Sequence, residues 1–211
     1  MELNYHGYFT TPIYDAYLPN FVKPLNKASD KYIKLAQNKN KVFIKDREKT
    51  FKKKVGDMNL VHHSESLLDK AEFHDLKKII FNTSNTILKQ MGYHFDIKNL
   101  MYTDMWVQEF SRRGVGCHEK HLHAHCHISG FYFLKCSEKT SFPYFQDPRP
   151  GKNMSQLLEH NKNNITFASD QVNYKPKPGT LLLFPSYLEH AFSSDCGVDP
   201  FRFIHFNLKV V

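Results

Sequence analysis

The chain has 211 residues, of which 41% are hydrophobic and 24% charged, with a formal net charge of +8. No apolar run reaches the roughly 20 residues that a bilayer span needs, which excludes a helical membrane protein. Four scattered cysteines without a Cys-x-x-Cys pair, and an opening stretch without a basic-then-apolar leader, exclude a disulfide framework and point to the cytoplasm.

The charge is uneven. Residues 23–54 carry twelve Lys or Arg against Asp30, Asp46 and Glu48, so the rest is close to neutral. Lysine dominates the segment, and no aromatic stacking pattern accompanies it. A solvated surface is therefore the reading, with no nucleic-acid partner and no membrane.

Residues 5–14 mix aromatics with Thr and predict a first strand. Asp15 then caps a helix whose apolar positions run Leu18, Phe21, Val22, Leu25, Ala28, Tyr32 and Leu35. Pro24 belongs in its early turns. The polar 37–57 segment predicts a mobile loop. His62 and His63 read as loop residues before a second helix that starts at Ser64 or Ser66 and ends at Gly92.

From about residue 100 the period changes to two. Met101, Thr103, Met105, Val107 and Glu109 alternate with Tyr102, Asp104, Trp106, Gln108 and Phe110. Short strand-like runs follow at 121–135, 142–146, 165–173, 179–184, 190–193 and 201–209, punctuated by seven prolines from Pro143 to Pro200. This rhythm predicts a β-sandwich or barrel. The chain reads as a single domain, 1–211, in which 1–99 supports a β-core at 100–211.

The densest chemistry is at 118–127. His121, His123, His125 and His127 are every second residue, so on one strand they would share a face. Imidazole is the commonest transition-metal ligand, and such a strand would be a metal platform. A polar edge strand is the alternative for any one of them. His118 and His127 read as ordinary polar residues and His205 as packing. His125 is a spare ligand or a supporting group. Cys117 and Cys126 could join a histidine-rich site.

Three later stretches extend the pattern: Phe145-Gln146-Asp147-Pro148-Arg149-Pro150; Gly179 leading through an apolar strand to Phe184-Pro185-Ser186 and His190; and Phe201-Arg202-Phe203-Ile204-His205-Phe206-Asn207. With His121-x-His123 and Ser129-Gly130-Phe131-Tyr132, this order resembles the iron(II)/2-oxoglutarate-dependent oxygenases. It is most similar to the branch related to prolyl hydroxylases that occurs in bacteria and marine phages. The resemblance covers residues 105–208.

The resemblance implies a double-stranded β-helix (jelly-roll) core, mainly β and covered by N-terminal helices. It implies an enzyme, a dioxygenase that hydroxylates an unactivated carbon of a small-molecule or peptide substrate, with peptidyl proline one guess. Succinate and carbon dioxide would be co-products. The cofactors would be Fe(II) and 2-oxoglutarate, with ascorbate an optional addition. A phage-encoded chain would act in the host cytoplasm.

The implied metal ligands are His121, His123 and His190. Arg202 would bind the distal carboxylate of 2-oxoglutarate. Tyr132 would substitute for a tyrosine that relatives place where Phe133 stands. His123 replaces the usual carboxylate, which leaves open whether Glu119 or Asp147 supplies one. Two alternatives remain: a cupin-like metalloprotein, and a metal-stabilised binding module without 2-oxoglutarate turnover. The run from Arg202 to Asn207 is one residue shorter than the family's, a difference that a bulge could absorb, or another residue could take the role.

Overall fold

A computed structural model describes residues 1–154 and 157–211. Among the described residues, ten strands form two antiparallel sheets. They are β1 (Tyr14–Tyr17), β2 (Val61–His63), β3 (Leu100–Phe110), β4 (His118–His121), β5 (Ile128–Lys135), β6 (Pro143–Gln146), β7 (Gln171–Asn173), β8 (Thr180–Pro185), β9 (His190–Phe192) and β10 (Arg202–Val210). The larger sheet has the order β1-β8-β5-β10-β3-β2 and the smaller β4-β9-β6-β7. The fold is a jelly roll. Both edge strands of the larger sheet, β1 and β2, come from the first hundred residues.

Alternation along the strands divides the apolar residues into two layers. Met105, Val107, Tyr132, Leu181, Ile204 and Phe206 face outward and pack under the helices α1 (Val22–Phe51) and α2 (His74–Gln90). Phe131, Phe133, Leu182, Phe184 and Phe203 face inward and meet Phe145 and Phe192 of the smaller sheet. This is the period-two pattern of strands buried on both sides.

Several local expectations are corrected. The first strand is Tyr14–Tyr17, not residues 5–14. The first helix does not give way to a mobile loop at 37: α1 continues to Phe51 and ends where Lys52 turns left-handed. Lys, Gln, Arg and Glu are strong helix formers, and a helix needs no apolar face where it leaves the core. Its second half is tied down by polar contacts, Asn40 to His62 at 3.0 Å and Arg47 to the Met58 carbonyl at 2.9 Å.

His62 and His63 lie on β2 rather than in a loop, and α2 begins at His74, not at Ser64 or Ser66. The 121–135 run is two strands separated by a turn in which His125 adopts a positive φ of 64°. The four alternating histidines therefore do not share one strand face. Of the 165–173 run, only Gln171–Asn173 is strand.

Candidate metal centre

His121 closes β4, and His190 opens β9 directly opposite it in register. His123 follows β4 by two residues. Its backbone N–H donates to the Ser186 carbonyl at 3.0 Å, which pins the turn to the end of β8. These three side chains converge from strand ends brought together by the β4–β9 pairing. Their candidate ligand atoms all lie within 4.8 Å of one another.

The hydrogen bonds fix which nitrogens are free. Nδ1 of His190 donates to the Leu188 carbonyl at 2.9 Å, and Nδ1 of His121 to the Glu119 carbonyl at 2.7 Å. Each bond leaves the Nε2 lone pair aimed away from the backbone, which is how proteins orient imidazole for a metal. Nε2 of His190 and of His123 are buried and have no hydrogen-bond partner. Buried nitrogens without partners are costly unless something binds them.

Burial also keeps these rings neutral. It is the main cause that draws His190 down to about 3, against an opposing contribution from its bond to Leu188. Burial, followed by the neighbouring His121, draws His123 down to about 4. A neutral imidazole is the form that binds metal.

The carboxylate alternatives do not reach the cluster. Glu119 is exposed and takes part through its backbone carbonyl. Asp147 is held by Arg149 at 2.6 Å and Lys152 at 3.3 Å, and these partners lower it to about 2. Cys117 and Cys126 are half-buried free thiols outside the cluster. His127 accepts the Val210 N–H at 3.0 Å, and His125 is exposed.

Two neighbouring histidines have specific places. His118 bonds Gln108 across the sheets at 3.0 Å. His205 was read as packing. Its ring lies 4.7 Å from His123 and 4.5 Å from Trp106, and Nε2 of His205 and Nε1 of Trp106 are buried without partners. Its sequence signal was its phase: two residues before Asn207 it shares the inward face.

Arg202 and Tyr132 are not brought to the histidines. Both lie on the outward face. Arg202 donates Nε to Glu109 at 2.8 Å and Nη1 to Asp30 at 2.7 Å, and the Tyr132 hydroxyl donates to the Leu18 carbonyl at 2.7 Å. The register shift does fall next to Arg202, between it and Phe203 where β10 meets β5. It lies on the β5 side of the pair, however, so β10 keeps its alternation and Arg202 stays opposite to Phe203 and His205 in facing.

Residues 104–202 match a family described as "Putative 2OG-Fe(II) oxygenase". That stretch, just under half of the chain, is similar to the 2OG-Fe(II) oxygenases. A prolyl-4-hydroxylase from Pseudomonas putida is similar at 11% identity and a TM-score of 0.52, over 96% of this chain and 95% of that one. AviO1 from Streptomyces viridochromogenes Tue57 is similar at 11% identity and a TM-score of 0.53, over 94% and 90%. EvdO2 from Micromonospora carbonacea var. aurantiaca, solved with 2-oxoglutarate, aligns at 13% identity and a TM-score of 0.45, over 69% and 62%. At these identities the likeness is one of fold. The chain spans 48% to 66% of the length of several of the matched structures. No curated protein matches the sequence.

Iron(II) and 2-oxoglutarate are the cofactors of this oxygenase family. The histidines fit the metal, with three ring nitrogens converging and two of the Nε2 atoms unpartnered. The fit to 2-oxoglutarate divides. Its 2-oxo acid head needs open metal positions, and three protein ligands leave them. Its distal carboxylate needs a cation, and Arg202 and Lys135 turn instead to Glu109.

Proposed function

We propose that the protein is an oxygenase that holds one iron(II) on His121, His123 and His190 and uses dioxygen and a 2-oxo acid to hydroxylate an organic substrate. The observation that carries the reading is the pair of buried, unpartnered Nε2 atoms on His123 and His190, beside His121. Bound iron(II) with a 2-oxo acid supplies the dioxygen activation. The chain's own part is to orient the ligands. The Leu188 and Glu119 carbonyls fix two of the rings, and Phe131, Phe145 and Phe184 pack on His190 and keep water away.

Peptidyl proline is the substrate candidate that the sequence resemblance suggests, and the similar fold of a prolyl-4-hydroxylase supports it. We read the whole chain as one unit, with residues 1–99 supporting the barrel. The test is to load the protein anaerobically with iron(II), admit dioxygen with a 2-oxo acid and proline-containing peptides, and read masses. A gain of one oxygen on proline is expected. A protein that binds stoichiometric metal yet oxidises no proline peptide removes that substrate. A protein that binds no metal removes the whole reading.

A further inference from the structure

The depth of the barrel, beyond the histidines, is aromatic. Phe201 and Phe203 of the β10 segment, Phe133 of β5, Phe192 of β9 and Phe110 of β3 are each at most 3% exposed. Phe192 and Phe203 are stacked with centroids 4.6 Å apart, and Phe110 meets Phe201 edge-on at 5.0 Å. Phe133 lies 5.7 Å from Phe203 and 6.2 Å from Phe201. These are the separations of rings in contact.

A five-carbon 2-oxo acid whose head chelated a metal on the histidines and whose tail ran into the barrel would carry its second carboxylate into this depth. There it would meet phenylalanine. A carboxylate moved out of water without a partner is strongly disfavoured, whereas a methyl group gains from the same surroundings. The strand cations do not relieve this. Arg202 and Lys135 are committed to Glu109 on the far side of the larger sheet.

The head of the acid fares differently. The His205 ring lies against His123 and the Trp106 ring against His205, 4.5 Å away, and Nε2 of His205 and Nε1 of Trp106 are buried without partners. As N–H groups they can donate to a carboxylate bound at the metal. These two donors therefore serve the end of the molecule that every 2-oxo acid shares.

We infer that the barrel takes a short 2-oxo acid with an apolar tail, of the pyruvate class, and does not select 2-oxoglutarate by its second carboxylate. This rests on the metal reading above. The reaction balances in the same way: substrate C–H, dioxygen and pyruvate give substrate C–OH, acetate and carbon dioxide. One oxygen atom enters the substrate and the other enters acetate, and the C1–C2 bond of pyruvate breaks.

The test uses the full chain loaded with cobalt(II) or iron(II) under argon. Pyruvate and 2-oxoglutarate are titrated separately, and the visible bands of the metal and the heat of binding are read. The expected result is that pyruvate shifts the bands with an affinity equal to or tighter than that of 2-oxoglutarate. An arginine-anchored pocket would instead favour 2-oxoglutarate by about two to three orders of magnitude. Tighter binding of 2-oxoglutarate overturns the inference. So does a metal-loaded protein whose bands neither acid shifts, although the metal reading then stands. Failure to bind metal at all overturns both.

Discussion

Arg202 and Glu109 face each other in register across β10 and β3, with Nε donating to a carboxylate oxygen at 2.8 Å. Both residues are almost fully buried, and Arg202 reaches on to Asp30 and the Asn26 carbonyl of α1. The pair joins the helix layer to the barrel. Arg202→Ala would leave Glu109 buried with only Lys135 at 3.7 Å and Arg112 at 3.9 Å. Urea denaturation should show a loss of about 3–5 kcal/mol. Affinity for a 2-oxo acid should not change. A variant as stable as the parent would show that the pair contributes little.

His190→Ala should abolish stoichiometric metal binding while circular dichroism shows the fold retained, because it removes the most buried ligand. His121→Ala should do the same. Glu119→Gln and Asp147→Asn should bind metal like the parent, since neither carboxylate reaches the cluster. Elemental analysis after desalting reads all four.

Asp147 sits at about 2, below its ordinary 3.8, chiefly through its hydrogen bond with Arg149. A depressed carboxylate stabilises the folded state above its unfolded value and loses that contribution as pH falls through the folded one. Asp147→Asn should therefore melt below the parent at neutral pH. The difference should shrink from about pH 4 downward and close near pH 2. A constant gap across that window would contradict the ion pairs.

Gly130 has no room for a side chain. A Cβ there would overlap the Leu182 backbone oxygen and the Phe206 ring. The oxygen belongs to the strand paired with β5 and cannot yield easily. Gly130→Ala should cost at least the roughly 1–3 kcal/mol typical of overpacking, read as a lower melting temperature.

Much of the barrel was legible. Period-two alternation and proline punctuation announced the strands, and the His-x-His pair with a distant histidine announced three side chains that do meet. What escaped notice depended on phase and on tertiary support. Four alternating histidines read as one strand, but the turn after His121 and the positive φ at His125 separate them. The lysine-rich 37–57 segment read as a loop because it has no apolar stripe, yet contacts from Asn40 and Arg47 hold it helical as far as Phe51. Arg202 was assigned through the family resemblance. Its facing is decided by parity along β10, and the five residues to Asn207 set the two on opposite sides.

The pairing of His121 with His190 has a consequence for how the chain reaches this state. The two strand ends are far apart in sequence, and β10 closes against β3 and β5 from a similar distance. Topologies rich in such non-local pairings fold slowly, because loop-closure entropy is lost before the contacts form. The full set of three histidines exists only once those closures are complete. A metal added during refolding would find at most a local pair first, and full coordination would then report the late step at which the two sheets come together. Metal that prefers the closed form would hold it by mass action, so the rate of unfolding should fall as the metal concentration rises.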